Sequence, residues 1–452
     1  MAGLNLRGDT SGSVEIVSPA VAGDNTITLP NDNGSANQFF KNSTTAGIVT
    51  HSSMVEDASG NIGIGTTTPT ETLHVVGDAR VTGILTVGTA SLTLNGTDGT
   101  ITGINTVNGL TYPSAGSLSN RNLIFNGAMQ VWQREDGLDD TSVSNNFNED
   151  YQTVDRFAFR FGNNAGGGVG IARTTDVPTN QGFSNAYKVG VETSVTPTTT
   201  MIIYPEYVIE AQDIRNSGWN YNDSNSYVTI SFWVKSNKTG TYNLGVYTDD
   251  GTRQFFTNEY TINSSDTWER KEISIPGYTN IQFNNDNGVG LRIDWHLSIG
   301  PDRRSGTSGS WSAGAANFST SNQVNFMDDT ANEWYLTGVQ LEVGTRATTF
   351  EHRCYGDELA RCQRYFQDFT SVNTKIRGAR YNEVSGVDQT AYLPVRMRAQ
   401  PNVEIVSSND GGANSSLQVD QRAEEKIVFE ANPTSTNTGV FMQFTFTCEA
   451  EL

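Results

Sequence analysis

From about residue 118 to residue 350, apolar side chains recur at every second position in short runs that Gly, Asn, Asp and Pro interrupt. Successive side chains on a strand point to opposite faces, so such a run buries one face and leaves the other outward, whereas a helix would scatter the same residues around its surface. In YVTISFWVKS, Val228, Ile230, Phe232 and Val234 share one face, while Tyr227, Thr229, Ser231, Trp233 and Lys235 take the other. In LRIDWHLSI, Leu291, Ile293, Trp295, Leu297 and Ile299 oppose Arg292, Asp294, His296 and Ser298. In TYNLGVYT, Tyr242, Leu244 and Val246 point inward, and Asn243 and Tyr247 outward. Repeated at this density, the pattern predicts a β-sandwich or jelly roll with the first face of each strand as core.

The opposite faces carry the chemistry. Tyr227, Trp233, Tyr247, Arg292, Asp294 and His296 combine flat aromatic rings with charged and polar groups. A sugar presents apolar C–H faces that stack on rings and hydroxyls that need paired donors and acceptors, so this set is a candidate glycan-binding groove. The alternatives are ordinary solvated strand faces or a subunit interface.

The rest of the chain also reads as mainly β. The segment VEIVSPAVAGDNTITLP predicts two short strands around a turn, within an N-terminal unit over 1–58. From Thr72 to Gly109, Leu73, Val75, Val81, Leu85 and Val87 alternate between single glycines, then Leu92 and Leu94 take the other parity. Strands this short present an apolar stripe too thin to bury itself in one chain, which predicts an intertwined shaft over 59–117. After the 118–350 domain, GDELARCQRYFQDF spaces Leu359, Cys362, Phe366 and Phe369 as one short amphipathic helix, with Asp357 near its start. Strands at QTAYLPVRM, NVEIVSS, SSLQVDQ, EKIVFEA and GVFMQFTFTCEAEL then predict a C-terminal β knob over 351–452.

Composition narrows the function. The 452 residues hold 45 Gly and carry a formal net charge of -20, which disfavours phosphate backbones and anionic headgroups as partners, so neither nucleic acid nor membrane insertion is expected. No apolar run is long enough to span a bilayer, and the N-terminus lacks the basic start and apolar stretch of a signal peptide. The three cysteines, Cys354, Cys362 and Cys448, are too few for a disulfide framework and fit a reducing compartment such as a cytosol.

The segment GNIGIGTTTPTETLHVVGDARVTGILTV resembles the shaft of many bacteriophage tail-fibre proteins, and LNLRGDTSGSVEIVSPAVAGDNTITLP is similar to repeats near the start of phage structural and fibre proteins. RNLIFNGAMQVWQR, YQTVDRF, WYLTGVQLEVGTRATTFEHRCYGDELARCQRYF and LPVRMRAQPNV resemble receptor-binding portions of such fibres. The region opening on NLIFNGAMQVW and closing on WYLTGVQLEVG also resembles jelly-roll carbohydrate-binding modules. The resemblance implies a homotrimeric fibre in the virion, joined through its N-terminus to tail or baseplate proteins, that adsorbs to a bacterial surface polysaccharide without a cofactor. The tail GVFMQFTFTCEAEL reads as a plain strand where such fibres often end in a self-cleaving chaperone segment.

Other signals weigh less. GNNAGGGVG lacks the Gly-Lys-Ser/Thr that would complete a phosphate loop. His352, Cys354 and Cys362 lack a fourth zinc ligand nearby in sequence. Arg7-Gly8-Asp9 sits in a structural-repeat-like segment, and Asn42-Ser43-Thr44 and Asn95-Gly96-Thr97 match glycosylation acceptors without a visible secretory route. The acidic pairs Asp139-Asp140, Asp249-Asp250 and Asp328-Asp329 would be needed together for glycan hydrolysis, but adjacent strand residues face opposite ways, so an enzyme is not expected. A glycan depolymerase and a purely structural virion fibre stay open as alternatives.

Overall fold

The computed structural model describes residues 3–7, 13–17, 38–42, 49–77, 82, 84–87, 92–95, 101–102, 106–107, 110–111, 121–134, 141–143, 147–163, 166–372, 374–379, 387–410, 415–433 and 439–452. The chain is mainly β and divides into two compact units, Met1–Ile104 and Asn105–Leu452.

In the first unit, Gly3–Arg7 pairs antiparallel with Ser13–Val17; the TITLP strand expected after it lies outside the described residues. Gln38–Asn42, Val49–Glu56, Ile62–Ile64 and Leu73–Val75 form a four-stranded sheet. Its last pair is parallel, Ile62 opposite Leu73 and Ile64 opposite Val75. Gly65, at φ +76°, makes this possible: a Cβ there would sit 2.7 Å from the Val76 carbonyl oxygen. Leu73, Val76 and Met54 are left exposed at 61%, 58% and 39%. Ile84–Val87, Leu92–Asn95 and Ile101–Thr102 form a further small sheet, while Val81 lies outside the described residues.

The second unit contains a sandwich of two antiparallel sheets. Its strands in chain order are β1 (Thr141–Val143), β2 (Phe147–Asp150), β3 (Phe157–Gly162), β4 (Gly168–Thr174), β5 (Ala186–Thr193), β6 (Ile202–Glu210), β7 (Tyr227–Ser236), β8 (Gly240–Thr248), β9 (Gln254–Ile262), β10 (Glu269–Pro276), β11 (Val289–His296), β12 (Ser310–Ala313) and β13 (Glu333–Val343). The first sheet runs β1-β4-β5-β13-β7-β10, and the second β2-β3-β6-β11-β8-β9-β12. The core lies between them. Val228, Ile230, Phe232 and Val234 of β7 meet Leu291, Ile293 and Trp295 of β11 and Tyr242, Leu244 and Val246 of β8 there, all buried as the alternation requires. Phe232 and Trp295 pack edge to face at 5.9 Å. Ile299 departs from the expected face. Strand β11 ends at His296, and Ser298–Ile299 turns to pair with β6, which moves Ile299 into a separate cluster with Tyr204, Tyr247, Phe255 and Phe318.

Two α-helices occur among the described residues, α1 (Ala211–Arg215) and α2 (Tyr355–Gln363). The second is shorter than its spacing predicts, because Phe366 already belongs to strand β14 (Phe366–Asp368) and Phe369 packs into the C-terminal core. Strands β15 (Thr374–Ala379), β16 (Val387–Tyr392), β17 (Asn402–Asn409), β18 (Ser415–Ala423), β19 (Lys426–Pro433) and β20 (Gly439–Glu449) follow, at the five predicted places and one more. β20 pairs with β14, β15 and β17, β19 lies between β16 and β18, and Met442, Phe444, Phe446 and Cys448 fill the core.

This C-terminal part is not detached from the sandwich. The NLIFNGAMQVWQ segment runs beside β13, where the Leu123 amide donates to the Leu341 carbonyl at 2.9 Å and a Cβ on Gly127 would stand 2.1 Å from the Val339 oxygen. Asn126 holds the turn at φ 58°, its side chain accepting from the Val131 amide and donating to the Val131 and Asp155 carbonyls. Around it, Arg134 pairs with Glu451 at 3.0 Å, Arg156 pairs with Glu451 and stacks over Tyr365 at 3.5 Å, and Arg364 pairs with Glu210 at 2.8 Å. The motifs at residues 122–133, 151–157 and 353–366 therefore meet in one buried junction that seats α2 and the C-terminus.

Candidate functional site

The six residues expected to line one groove fall on two sheets whose outer faces point away from each other. Tyr227 and Trp233 stand on the first sheet; Tyr247, Arg292, Asp294 and His296 stand on the second. Tyr227 and Trp233 share a face but lie roughly 20 Å apart along β7.

On the second sheet the outward residues are covered. Tyr247 is 4% exposed, Arg292 8%, and Asp294 and His296 0%. The segment 301–325 lies over them: the Phe318 ring sits 4.4 Å from the His296 ring, and Gln323 accepts from Asn243 at 2.9 Å and donates to the His296 carbonyl at 3.0 Å. Beneath it, Glu206 takes Arg292 at 2.8 Å, Arg160 at 3.0 Å and the Tyr247 hydroxyl at 3.0 Å, while Arg292 also reaches Asp249 at 2.6 Å. Burial first, and the Glu206 charge second, push the Asp294 carboxyl well above its ordinary value. Protonation of Asp294 removes the repulsion of two buried carboxylates. Burial alone pushes His296 down to about 3, so its ring is neutral. This face is a packed polar layer, and no sugar reaches it while the segment is in place.

The first sheet differs. Above its outer face lies a cavity of about 380 Å³ lined by Trp233 and Ser231 of β7, Arg270 of β10, Gly338 of β13, and residues of the 180–183 and 348–352 loops. A β-bulge shapes its floor. Ser231 pairs with Gln340 and Trp233 with Thr337, so Phe232 faces two residues of β13, one of them Gly338 at φ +63°. A Cβ on Gly338 would lie 2.6 Å from the Phe183 ring and 3.0 Å from the Trp233 ring, so only glycine lets both rings close on this point. Phe183, Phe350 and His352 form a ring cluster, with centroids 5.0 Å apart for the two phenylalanines, 5.2 Å for Phe183 and His352, and 4.9 Å for Phe350 and His352.

The rim is tied to the sheet beneath it. Glu342, buried, accepts from the Thr348 amide at 2.7 Å; Gln340 accepts from the Glu351 amide at 2.8 Å; Glu272 accepts from the Ala347 amide at 2.9 Å. Arg270 donates to the Thr348 carbonyl at 3.0 Å and lies 3.6 Å from Glu272. A preformed hollow with aromatic walls and a few fixed polar groups is the general form of a small-ligand site.

Of the predicted set, only Trp233 lines this cavity. Phe183, Arg270, Gly338, Phe350 and His352 were missed. Gly338 was legible as an unpaired glycine inside a strand pattern, a bulge signal, but Phe183 and Phe350 meet Trp233 only through long-range folding. Among the described residues, no three His, Cys, Asp or Glu side chains gather as a metal set. Cys354, Cys362 and Cys448 are free thiols.

No known family's sequence pattern matches the chain, and no curated protein matches it. Some solved structures are similar to part of the chain. One is the enzymatically active domain of tailspike protein 4 of bacteriophage CBA120, 11% identical, with a TM-score of 0.26, covering 50% of this chain and 22% of that one. Another is a family 11 carbohydrate-binding module of a cellulosomal cellulase of Clostridium thermocellum, 11% identical, TM-score 0.23, covering 48% and 99%. A xylan-binding domain from Paenibacillus barcinonensis is 13% identical, TM-score 0.21, covering 47% and 98%. The chain thus spans about a fifth of the tailspike domain and nearly all of the two binding modules.

Proposed function

We propose that this chain is a bacteriophage tail-fibre protein whose sandwich binds a bacterial surface glycan, and that it mediates host adsorption without cleaving the glycan. The observation that carries the reading is the cavity over the first sheet, where Trp233, Phe183 and Phe350 supply ring faces for sugar C–H groups and Ser231, Asn180, Gln181 and Arg270 supply hydroxyl partners. No carboxylate lines the cavity, so the acid pair that glycoside hydrolysis requires is not built there. The fibre assembles as a homotrimer. Leu73 and Val76, more than half exposed on a narrow sheet, supply apolar surface for neighbouring copies to bury. Three sites per fibre raise the effective concentration, and avidity exceeds single-site affinity by about 10² to 10⁴. The N-terminal unit joins other tail or baseplate proteins of the virion.

The test is adsorption of the purified full chain to host cells, with glycan size followed after incubation. Retention on cells, competition by purified envelope polysaccharide and unchanged polymer length support the reading. Progressive release of short fragments, or no retention on any cell that the particle infects, overturns it. Native mass measurement checks the assembly, and a folded monomer at micromolar concentration would remove the trimer.

A further inference from the structure

Resting on that reading, we infer that the cavity takes a single sugar residue that bears a carboxylate. Three observations carry this. The cavity measures about 380 Å³, near the lower end of the range of about 300–1,000 Å³ for small-ligand sites, which suits about one or two sugar rings rather than an extended chain. Among its lining residues Arg270 is the one permanently charged group and none is acidic, in a chain with 49 acidic residues against 29 basic ones. Arg270 is held in place by its bond to the Thr348 carbonyl, with its side chain 35% exposed. Glu272 lies 3.6 Å from one of its nitrogens, too far for a hydrogen bond, while its other carboxylate oxygen accepts from the Ala347 amide.

A guanidinium carries more N–H donors than these contacts use, and its planar edge matches a carboxylate bidentately. Trp233 and Arg270 are directly paired residues on neighbouring strands. A pyranose ring lying on the Trp233 face would therefore carry a ring-bound carboxylate toward Arg270, while a neutral sugar would offer the same donors only hydroxyls. Uronic acids, sialic acids and pyruvate ketals share this chemistry.

The experiment titrates the full-length protein with the methyl glycosides of glucuronic acid, galacturonic acid and N-acetylneuraminic acid, and with methyl glucoside and methyl galactoside, by calorimetry and saturation-transfer NMR. At least one acidic glycoside should bind about tenfold more tightly than the neutral ones, as a charge-assisted hydrogen bond predicts. That advantage should shrink between about 50 and about 500 mM salt. Arg270→Gln should abolish the advantage and leave weak neutral binding, and Trp233→Ala should weaken acidic and neutral glycosides alike by close to thirtyfold. Equal binding of acidic and neutral glycosides, or an acidic preference that survives Arg270→Gln, overturns the carboxylate inference while the glycan reading stands. No glycoside bound, together with no retention on host cells, removes both.

Discussion

The two outer faces of the sandwich start from the same pattern and end differently. On β7, Tyr227, Ser231 and Trp233 alternate with core residues; on β11, Arg292, Asp294 and His296 do the same. Over the first sheet the loops at 180–183 and 345–352 stop at the rim and leave a hollow against Trp233. Over the second, the chain on either side of edge strand β12 covers the face, with Phe318 on His296 and Gln323 on Asn243. An outward position on a strand is therefore not the same as an accessible one, and the chemistry of the outward residues does not distinguish the two cases. The charged face became a structural layer, and the less charged one kept the cavity.

The sharpest way to break this comparison is Arg292→Ala. If the second face is structural, losing this partner leaves Glu206 buried with less compensation, and unfolding stability should fall by about 3 kcal/mol. Glycan retention by the surviving folded protein should be unchanged. A stable variant that no longer binds cells would return the site to the second face. Denaturant unfolding and adsorption on the same sample decide between them.

Stability against pH tests the same layer. With a folded value of about 3 against an ordinary 6.5, His296 binds a proton only on unfolding, so its stability contribution is lost as pH falls through that window. The loss should be on the order of a few kcal/mol and should be much reduced in His296→Met. Asp294 acts with opposite sign: its raised value makes the folded state hold a proton that the unfolded state releases, so stability declines as pH rises from the ordinary 3.8. Asp294→Asn should remove that decline. Because the two contributions oppose each other where they overlap, melting curves from pH 3 to pH 9 are compared between the wild type and each single variant, and variant profiles that match the wild type would mean that the layer is open to water.

On the other face, Trp233→Ala should weaken glycan binding by about 2 kcal/mol, close to thirtyfold per site, while the core residues Val228, Ile230, Phe232 and Val234 hold the sheet. Loss of assembly instead would show that Trp233 is a packing residue. The smallest expected effect is that of Gly338→Ala. A side chain at φ +63° costs about 1–2 kcal/mol and pushes Phe183 and Trp233 apart, so stability and binding should fall together. An unchanged affinity would show that the bulge does not shape the site.

Much of the strand framework was readable in advance. The core faces of β7, β8 and β11, and Met442 to Cys448 on β20, follow from alternation alone. The α2 helix was overextended because Phe366 and Phe369 continue its spacing by coincidence while pairing and packing elsewhere. Ile299 was misplaced because a break after His296 changes the face without leaving a mark in the alternation. Segment 301–325 reads as a polar loop rich in Ser, Gly and Asn, with only Trp311 and Phe318 as large apolar anchors, so its role as a cover was not visible.

What the sequence determined by itself is the local geometry: which residues are strands, and which side of each strand is apolar enough to be core. That is so because the two-residue repeat is a steric property of the extended backbone and needs no knowledge of distant residues. The tertiary structure decided which outward face stays open. Phe183, Trp233 and Phe350 are brought together from three separated segments over one bulge, and Arg292, Asp294 and His296 are sealed by another, because burial of an outward side chain depends on which distant segment crosses it. No repeat along the chain records that crossing.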